Sequence, residues 1–481
     1  MGADFEPVIG LEVHVEMNTR TKIFCGCSTA FGAEPNTQVC PVCVGLPGSL
    51  PVLNRGVMDR LITLALALES TVQSRAKFDR KNYHYPDLPK GYQISQYDRP
   101  MARGGLVRLE TEEQAKQVRL RRLHLEEDAG KLLHREDTLV DYNRAGVPLV
   151  EIVTEPDMST PQEARAFLEE LRLIILYTGV SDVKMEEGSL RCDANVSLRP
   201  RGSESLGALT EVKNMNSFRS LERALAYEID RQREILASGG GRVVRETRHW
   251  QEDRGVTSAS RSKEEAHDYR YFPDPDLVPV EVPSEWVERM ARDLPELPAG
   301  RRRRLGQLGL PLSDVRILTY QKELGDYFDR CIDRYPQART LANWITGEFQ
   351  GHLNSEGLDP VDSPMKPEYL AQILTMVEEE RISGKMAKDL FQEVIKRRLP
   401  PGDLAAQLGM EQVSDQEAID EMVARVIAEH QSVVQDYLAG KDKALGFLVG
   451  QVMKASKGQA NPRLVNQVLR DRLAHRGEGN S

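Results

Sequence analysis

No stretch of this 481-residue chain is apolar for long enough to cross a bilayer. The longest apolar run, Leu61 to Leu68, falls far short of the roughly 20 residues that a spanning helix needs. The opening residues Met1-Gly2-Ala3-Asp4-Phe5-Glu6 lack the basic region of a secretory signal. Glu6 stands where a myristoylation motif needs Ser or Thr. The expectation is a cytoplasmic protein with no membrane partner. Phosphate loops are missing too. There is no G-x-x-x-x-G-K-[ST] and no G-x-G-x-x-G after a strand, so any use of ATP has to proceed without the common phosphate-binding turns. The absence of a G-x-S-x-G elbow removes support for simple serine hydrolysis. Neither an internal repeat nor a low-complexity segment is present. Cysteine is scarce: there are six, and Cys192 and Cys331 stand alone.

The other four cysteines come as two close pairs, Cys25-Gly26-Cys27 and Cys40-Pro41-Val42-Cys43. Zn²⁺ takes four soft ligands in a tetrahedron, and pairs one or two residues apart bring two thiolates to one ion from a tight turn. The loop between the pairs is too short and too polar to build a core, so a metal would hold it together. Two disulfides or four free thiols are the alternatives; a cysteine-poor, cytosolic chain seldom keeps disulfides. A closed four-cysteine site is structural, so the chemistry has to lie elsewhere.

The length predicts two to four domains. Residues 1 to about 293 mix strands and helices. Val8 to Glu16 alternates, with Ile9, Leu11, Val13 and Val15 on one face and Glu12, His14 and Glu16 on the other. Leu190 to Arg199 alternates in the same way, which fits antiparallel sheet with one face away from the core. Thr160-Pro161-Gln162-Glu163 opens a helix that should stop at Gly179, and a second helix runs from about Ser217 to Ser238. The texture changes between Leu294 and Pro311, where the run Arg301 to Arg304 reads as a solvated linker. Beyond it strand signals vanish. Residues 312–398 read as helices, Pro400-Pro401-Gly402 closes that block, and 403–481 read as a small helical domain. The formal net charge is −10, yet from Lys441 onward eight basic residues face three acids, a local net of +5. Such a patch is what phosphates feel, although a solvated helix surface would look the same.

Glu12 and His14 project from one strand face, a hard carboxylate and an imidazole aimed at one point. Leu123-His124-Leu125-Glu126-Glu127-Asp128 ends a strand in three acids. Glu151 lies inside the apolar strand Pro148 to Val153, where a lone carboxylate is costly unless paired or metal-bound. Asp193 and Glu211 add acids on further strands. Together they point to a Mg²⁺ site, against the alternative of a solvated polar face. The segment Asp79 to Gln96 is dense in aromatic and polar residues and lacks core periodicity, as expected of a functional surface or of a loop packed between domains.

Long strings of the sequence resemble the GatB family, one of the component chains of the tRNA-dependent amidotransferases. They include Val8 to His14, Cys40 to Gly48, Asp79 to Gln96, Leu125 to Lys131, Asp141 to Ile152, Gly188 to Ser197, Glu211 to Phe218, Arg261 to Asp276 and Gly458 to Pro462. The likeness covers the whole chain. Departures are small: His84 stands where an aromatic, usually Phe, is expected, and Val44 replaces a usual Leu.

The resemblance implies a multidomain protein. Residues 1–293 would be an α/β, antiparallel-sheet cradle with a zinc knuckle, 294–405 a helical domain, and 406–481 a small helical tail that holds tRNA. It implies a glutamine-hydrolysing ligase that uses ATP and Mg²⁺, with structural Zn²⁺. The side-chain carboxylate of Glu or Asp esterified to tRNA would be phosphorylated, and ammonia would then displace phosphate. Glu12, His14, Lys81, Glu127, Glu151, Ser189, Asp193 and Glu211 are the implied catalytic residues. Glu12, His14, Glu127 and Glu151 would be the Mg²⁺ set, with Asp193 and Glu211 as outer members; Cys25, Cys27, Cys40 and Cys43 would hold zinc. Lys81 would face phosphate or the ammonia path. The implied partners are a separate amidase (glutaminase) chain, a small third chain of the same heterotrimer, and tRNA(Gln) or tRNA(Asn) misacylated with Glu or Asp. The non-discriminating aminoacyl-tRNA synthetase would be a further one. The rival class is a non-catalytic RNA-binding zinc protein, which would have no reason to aim an acid-rich strand set at one point. A free-standing metallohydrolase fails on the closed cysteine site and the low histidine count.

Overall fold

The computed structural model describes residues 5–110, 115–134, 137–238, 241–260, 269–410, 416–438, 440–456 and 460–478. Two compact units meet in sequence at Gly300/Arg301. The first is built on a large, almost wholly antiparallel sheet. Its strands run in the order Val256–Ala259, Glu246–Gln251, Thr210–Lys213, Leu190–Pro200, Phe5–Glu16, Pro148–Thr154, Ala115–Glu127, Ala102–Arg103 and Thr71–Val72. Leu106–Glu110 pairs separately with Ala115–Glu127, and among the described residues only Thr210–Lys213 and Glu246–Gln251 run parallel.

Alternation decides which face is which. Ile9, Leu11, Val13 and Val15 lie in one buried cluster with Val150, Ile152, Leu123, Leu125, Cys192 and Ala194. Helices cover that face. Pro161–Thr178 buries Phe167, Leu168 and Leu171 in the cluster, and Phe218–Ala237 adds Leu221 and Leu225. Their ends are those expected from the sequence. The Thr160 hydroxyl accepts from the Glu163 N–H at 3.1 Å, and Gly179 ends the first helix at φ 68°, a left-handed backbone that glycine adopts without strain. Ser217 caps the second by accepting from the Ser220 N–H. The polar residues Glu12, His14 and Glu16 are left on the opposite face.

The helix Phe218–Ala237 also carries buried polar groups, Glu228 and Gln232. Glu228, with no exposed surface, accepts from Arg231, Gln232 and Thr257, and Arg248 stands 3.5 Å away. Replacing Glu228 with Leu leaves the Arg231 and Arg248 guanidinium groups to share Glu246 and strips several buried donors of their acceptor, so unfolding by denaturant should show a loss of about 1–3 kcal/mol. A loss under about 1 kcal/mol would show that the network is dispensable.

Every element after Val280–Glu281 is helical among the described residues. The arginine run is not a linker: it lies in the helix Pro298–Gln307. Arg301 is buried, 2.5 Å from Asp326 and 3.1 Å from Asp329, and Arg304 stands 2.8 Å from Asp329. Pro401 likewise opens a helix, Pro401–Gln407, instead of closing a block, because proline at a first helical position loses no hydrogen bond. The second unit holds two apolar clusters, one from Leu305 to Ala405 and one from Ile419 to Leu473. No helix among the described residues is long and apolar enough to cross a membrane.

Candidate functional site

Strand register assembles the site. Arg191, His14, Glu151 and His124 stand side by side on four neighbouring strands. Glu12 pairs with Asp193 in the next row, and Asn195 with Glu211 in the one after. His14 Nε2 lies 3.3 Å from Glu151 Oε2 and 3.6 Å from Glu126 Oε1. The ligand atoms of these three residues all lie within 4.8 Å of one another. Adjacent ligands of a small six-coordinate cation, bound at 2.0–2.1 Å, stand about 3.0 Å apart. One imidazole and two carboxylates at these spacings therefore fit a small divalent cation, as does the charge. Burial alone would raise the Glu151 carboxyl, but His124 and His14 outweigh it and hold it well below the usual carboxylate range. Burial likewise opposes the charge on His14, and the carboxylates of Glu151 and Glu126 overcome it.

The three consecutive acids do three different things. Glu126 joins His14. Glu127, the expected ligand, turns to the other side. Its carboxylate accepts from Lys90 Nζ at 2.5 Å and from the Ile94 N–H at 2.8 Å, beside a 70 Å³ cavity that the cysteine knuckle also lines. Asp128 takes Arg191 at 2.6 Å and bonds to Glu16, whose carboxyl is pushed up to about 8 by burial and by the Asp128 charge. Parity is the cause: His124 and Glu126 share one strand face, and Glu127 has the opposite parity. That signal was available in the sequence, since Leu123 and Leu125 mark the core face.

Glu12, Asp193 and Glu211 form an adjoining group. Asn195 donates to Glu12 at 2.9 Å, and Lys213 bridges Asp193 at 2.6 Å and Glu211 at 2.9 Å. Burial, then the Glu151 charge, raises the Glu12 carboxyl. Ser189 is not brought to either group; its hydroxyl donates to Asp182 at 2.6 Å. The aromatic-rich segment forms the hairpin Asp79–Asn82 and Tyr92–Ser95, which Phe272–Pro273 extends to three strands. It presents Lys81 over the Tyr269 and Tyr83 rings, 5.0 and 5.8 Å from their centroids. Lys81 has no ion pair within 4 Å among the described residues, yet Glu126 and Glu151 overcome its burial and raise its pKa.

The four cysteine sulfurs also lie within 4.8 Å of one another. Cys43 and Cys40 Sγ are 3.9 Å apart, against about 3.8 Å for a tetrahedron edge at a Zn–S distance of 2.3 Å. The Cys40 N–H donates to Cys43 Sγ at 3.2 Å, and Lys22 Nζ stands 3.7 Å away. A thiol hydrogen bond from Cys25 lowers the Cys43 pKa against burial, and those neighbours add to it. The donor set and spacing fit a closed site for a soft metal. Gly45, at φ 69°, leaves room for the Lys90 stem, which a Cβ there would meet at 2.3 Å.

A four-cysteine cluster, and an imidazole–carboxylate cluster on a polar sheet face, describe a sheet domain with two candidate metal-binding groups, followed in sequence by a helical unit. Comparison with known proteins gives the family. Residues 7–288 match the model described as the GatB/GatE catalytic domain, and residues 326–473 match the GatB domain. The GatB subunit of aspartyl/glutamyl-tRNA(Asn/Gln) amidotransferase from Moorella thermoacetica is 56% identical over 476 residues, 98% of this chain and 100% of that protein. The protein of that name from Carboxydothermus hydrogenoformans is 53% identical over 478 residues, covering 98% and 99%. The one from Geotalea daltonii is 49% identical over 477 residues with the same coverage. The chain belongs to the GatB family of the aspartyl/glutamyl-tRNA(Asn/Gln) amidotransferases, glutamine-hydrolysing ligase complexes.

Proposed function

We propose that this chain carries out the ATP-dependent amidation of Glu-tRNA(Gln), Asp-tRNA(Asn) or both. A carboxylate is a poor electrophile because oxide is a poor leaving group. Its oxygen therefore attacks the γ-phosphorus of ATP, ADP departs, and an acyl phosphate results. Ammonia then attacks the acyl carbon, phosphate leaves, and the nitrogen sheds a proton to give the amide. The supporting observation is the convergence of His14, Glu126 and Glu151 on one polar face, with Lys81 near enough to feel the charges of Glu126 and Glu151. These three side chains would hold Mg²⁺, which when bound neutralises charge that develops on the transferring phosphoryl group. Glu12, Asp193 and Glu211 would act as its outer members, with Lys213 already balancing the last two. Lys81, held by aromatic rings and free of a direct ion pair among the described residues, is suited to meet phosphate oxygens. Glu127 and Lys90 line the cavity beside the knuckle, and Ser189 shapes the turn that leads into the strand Leu190–Pro200. The cysteine quartet would bind structural zinc.

Ammonia is mostly protonated in bulk water, so it should come through a protected path from a partner amidase (glutaminase), with a small third chain completing the complex in the cytoplasm. Residues 1–293 would form the cradle, 294–405 the helical domain and 406–481 the tRNA-holding tail; the separate apolar clusters support that division of the helical part. The test is amidation itself. Partner amidase, ATP, glutamine and misacylated tRNA are added to the purified chain, and amidated aminoacyl-tRNA should appear only when all are present. No product with active partners would overturn the proposal.

The tail charge is smaller in effect than its sum. Arg472 pairs with Asp420, Arg463 with Glu380 and Lys441 with Asp436. Lys443, Lys454 and Arg470 are exposed without an ion pair among the described residues. Replacing all three with Gln should weaken tRNA binding. Each lost phosphate contact should take about 0.7–0.9 off the slope of log affinity against log salt. Unchanged affinity and slope at two salt concentrations would show that the tail surface is merely solvated.

A further inference from the structure

Glu151 is flanked by two imidazoles, and only one of them belongs to the cluster that can hold a cation. His124 stands outside that set, yet its Nε2 lies 3.3 Å from Glu151 Oε2 and 3.9 Å from Glu126 Oε2. Its side chain is 3% exposed. Its Nδ1 is buried and has no hydrogen-bond partner among the described residues. We propose that His124 is a positioning residue, whose Nε2–H holds the Glu151 carboxylate in the orientation that completes the cation pocket. This inference rests on the assignment of His14, Glu126 and Glu151 as the metal site.

The proton assignment follows from surroundings. A proton on Nδ1 meets no acceptor, whereas one on Nε2 meets the carboxylate of Glu151, so the neutral ring carries it on Nε2. His14 cannot replace this donor in a loaded site, because ligating a cation through Nε2 requires that nitrogen to be bare. His124 is then the imidazole left to donate to Glu151 Oε2. A buried nitrogen without a partner is destabilising, and an apolar side chain between Leu123 and Leu125 would avoid that penalty. Partners that orient metal-binding carboxylates typically change metal affinity about 10–100-fold when removed.

The experiment measures Mn²⁺ binding to the full-length chain from the electron paramagnetic resonance signal of the free ion, with no turnover involved. The variants are H124Q, H124N and H124F, with E151Q as control. The glutamine amide nitrogen reaches about as far as Nε2; the asparagine nitrogen ends near Nδ1, too short to reach Glu151. H124N and H124F should bind Mn²⁺ about 10–100-fold more weakly than wild type, while H124Q should stay within about threefold and E151Q should lose binding. Thermal midpoints should be recorded for all. If H124F does not fold, the Gln/Asn pair decides alone. In tRNA-dependent ATP cleavage, H124N should raise the half-saturating Mg²⁺ concentration and leave the rate at saturating Mg²⁺ nearly unchanged. Equal affinity in H124N, H124Q and wild type, with E151Q defective, would overturn the positioning role and leave the metal site standing. H124Q as weak as H124N would also overturn the donor role. A wild-type chain that binds no Mn²⁺, or an E151Q variant that binds it normally, would overturn the metal site and this inference with it.

Discussion

His14→Ala and Glu126→Gln will each lower tRNA-dependent ATP cleavage by about a thousandfold or more, and neither will weaken tRNA binding. A thousandfold corresponds to about 4 kcal/mol of barrier. That is the scale on which a bound cation stabilises charge developing during phosphoryl transfer. The geometry gives each residue a separate reason. His14 supplies the nitrogen that faces both carboxylates, at 3.3 and 3.6 Å. Glu126 supplies an oxygen to the three-atom cluster, and its loss leaves one carboxylate to hold a divalent charge. Glu127→Gln is the contrasting variant. Its carboxylate is bound to Lys90 and to the Ile94 N–H, so Mn²⁺ binding should survive there even if amidation falls. The measurement is ADP release with misacylated tRNA present, alongside a tRNA binding curve for each variant. Near wild-type rates in both His14→Ala and Glu126→Gln would remove the metal site from the mechanism.

Cys43→Ser is expected to have the next largest effect, this time on folding. Metal analysis of the wild type should find about one zinc per chain, and the variant should hold almost none. Structural zinc contributes binding energy that is also folding energy, roughly 10–16 kcal/mol in isolated zinc-finger peptides. Cys43 is the buried member of the quartet and takes the Cys40 N–H and the Lys22 ammonium. Replacing it leaves Lys22, itself wholly buried, without its anionic partner. The thermal midpoint should fall sharply, and protease should cut between about Thr21 and Asn54 before the rest of the sheet opens. Because Gly45 packs against the Lys90 stem, the disturbance should also reach the Lys90–Glu127 pair. Zinc-free wild-type protein, prepared without chelator and as stable as any other preparation, would refute this account.

Much of this was legible in residue order. The alternation of Val8–Glu16 and Leu190–Arg199 fixed which side chains face the core. Thr160, Gly179 and Ser217 marked helix ends where they occur. The cysteine spacing predicted a cluster that does assemble. Reading the acids as a block was less successful. Glu126, Glu127 and Asp128 are neighbours in sequence, yet they serve a cation pocket, a lysine and an arginine, because a strand sends alternate side chains to opposite faces and then ends. The arginine run misled for a related reason. Composition says that four arginines prefer water, but Asp326 and Asp329, on a later helix, supply partners that make burial of Arg301 tolerable.

The sequence by itself therefore determined the local pattern: strand faces, helix ends, the paired thiols, and a family likeness over the full chain. Tertiary structure alone decided which charges meet. His14, His124, Glu126 and Glu151 come from three strands, and 137 residue positions separate the first from the last. Only strand order and register place His14, Glu151 and His124 in one row with Glu126 in the next, as they do Lys213 between Asp193 and Glu211. The physical reason is range. Backbone preference and side-chain periodicity act over a few residues, whereas pairing between distant strands is selected by the burial of the whole apolar face, and the polar face inherits whatever register that burial imposes.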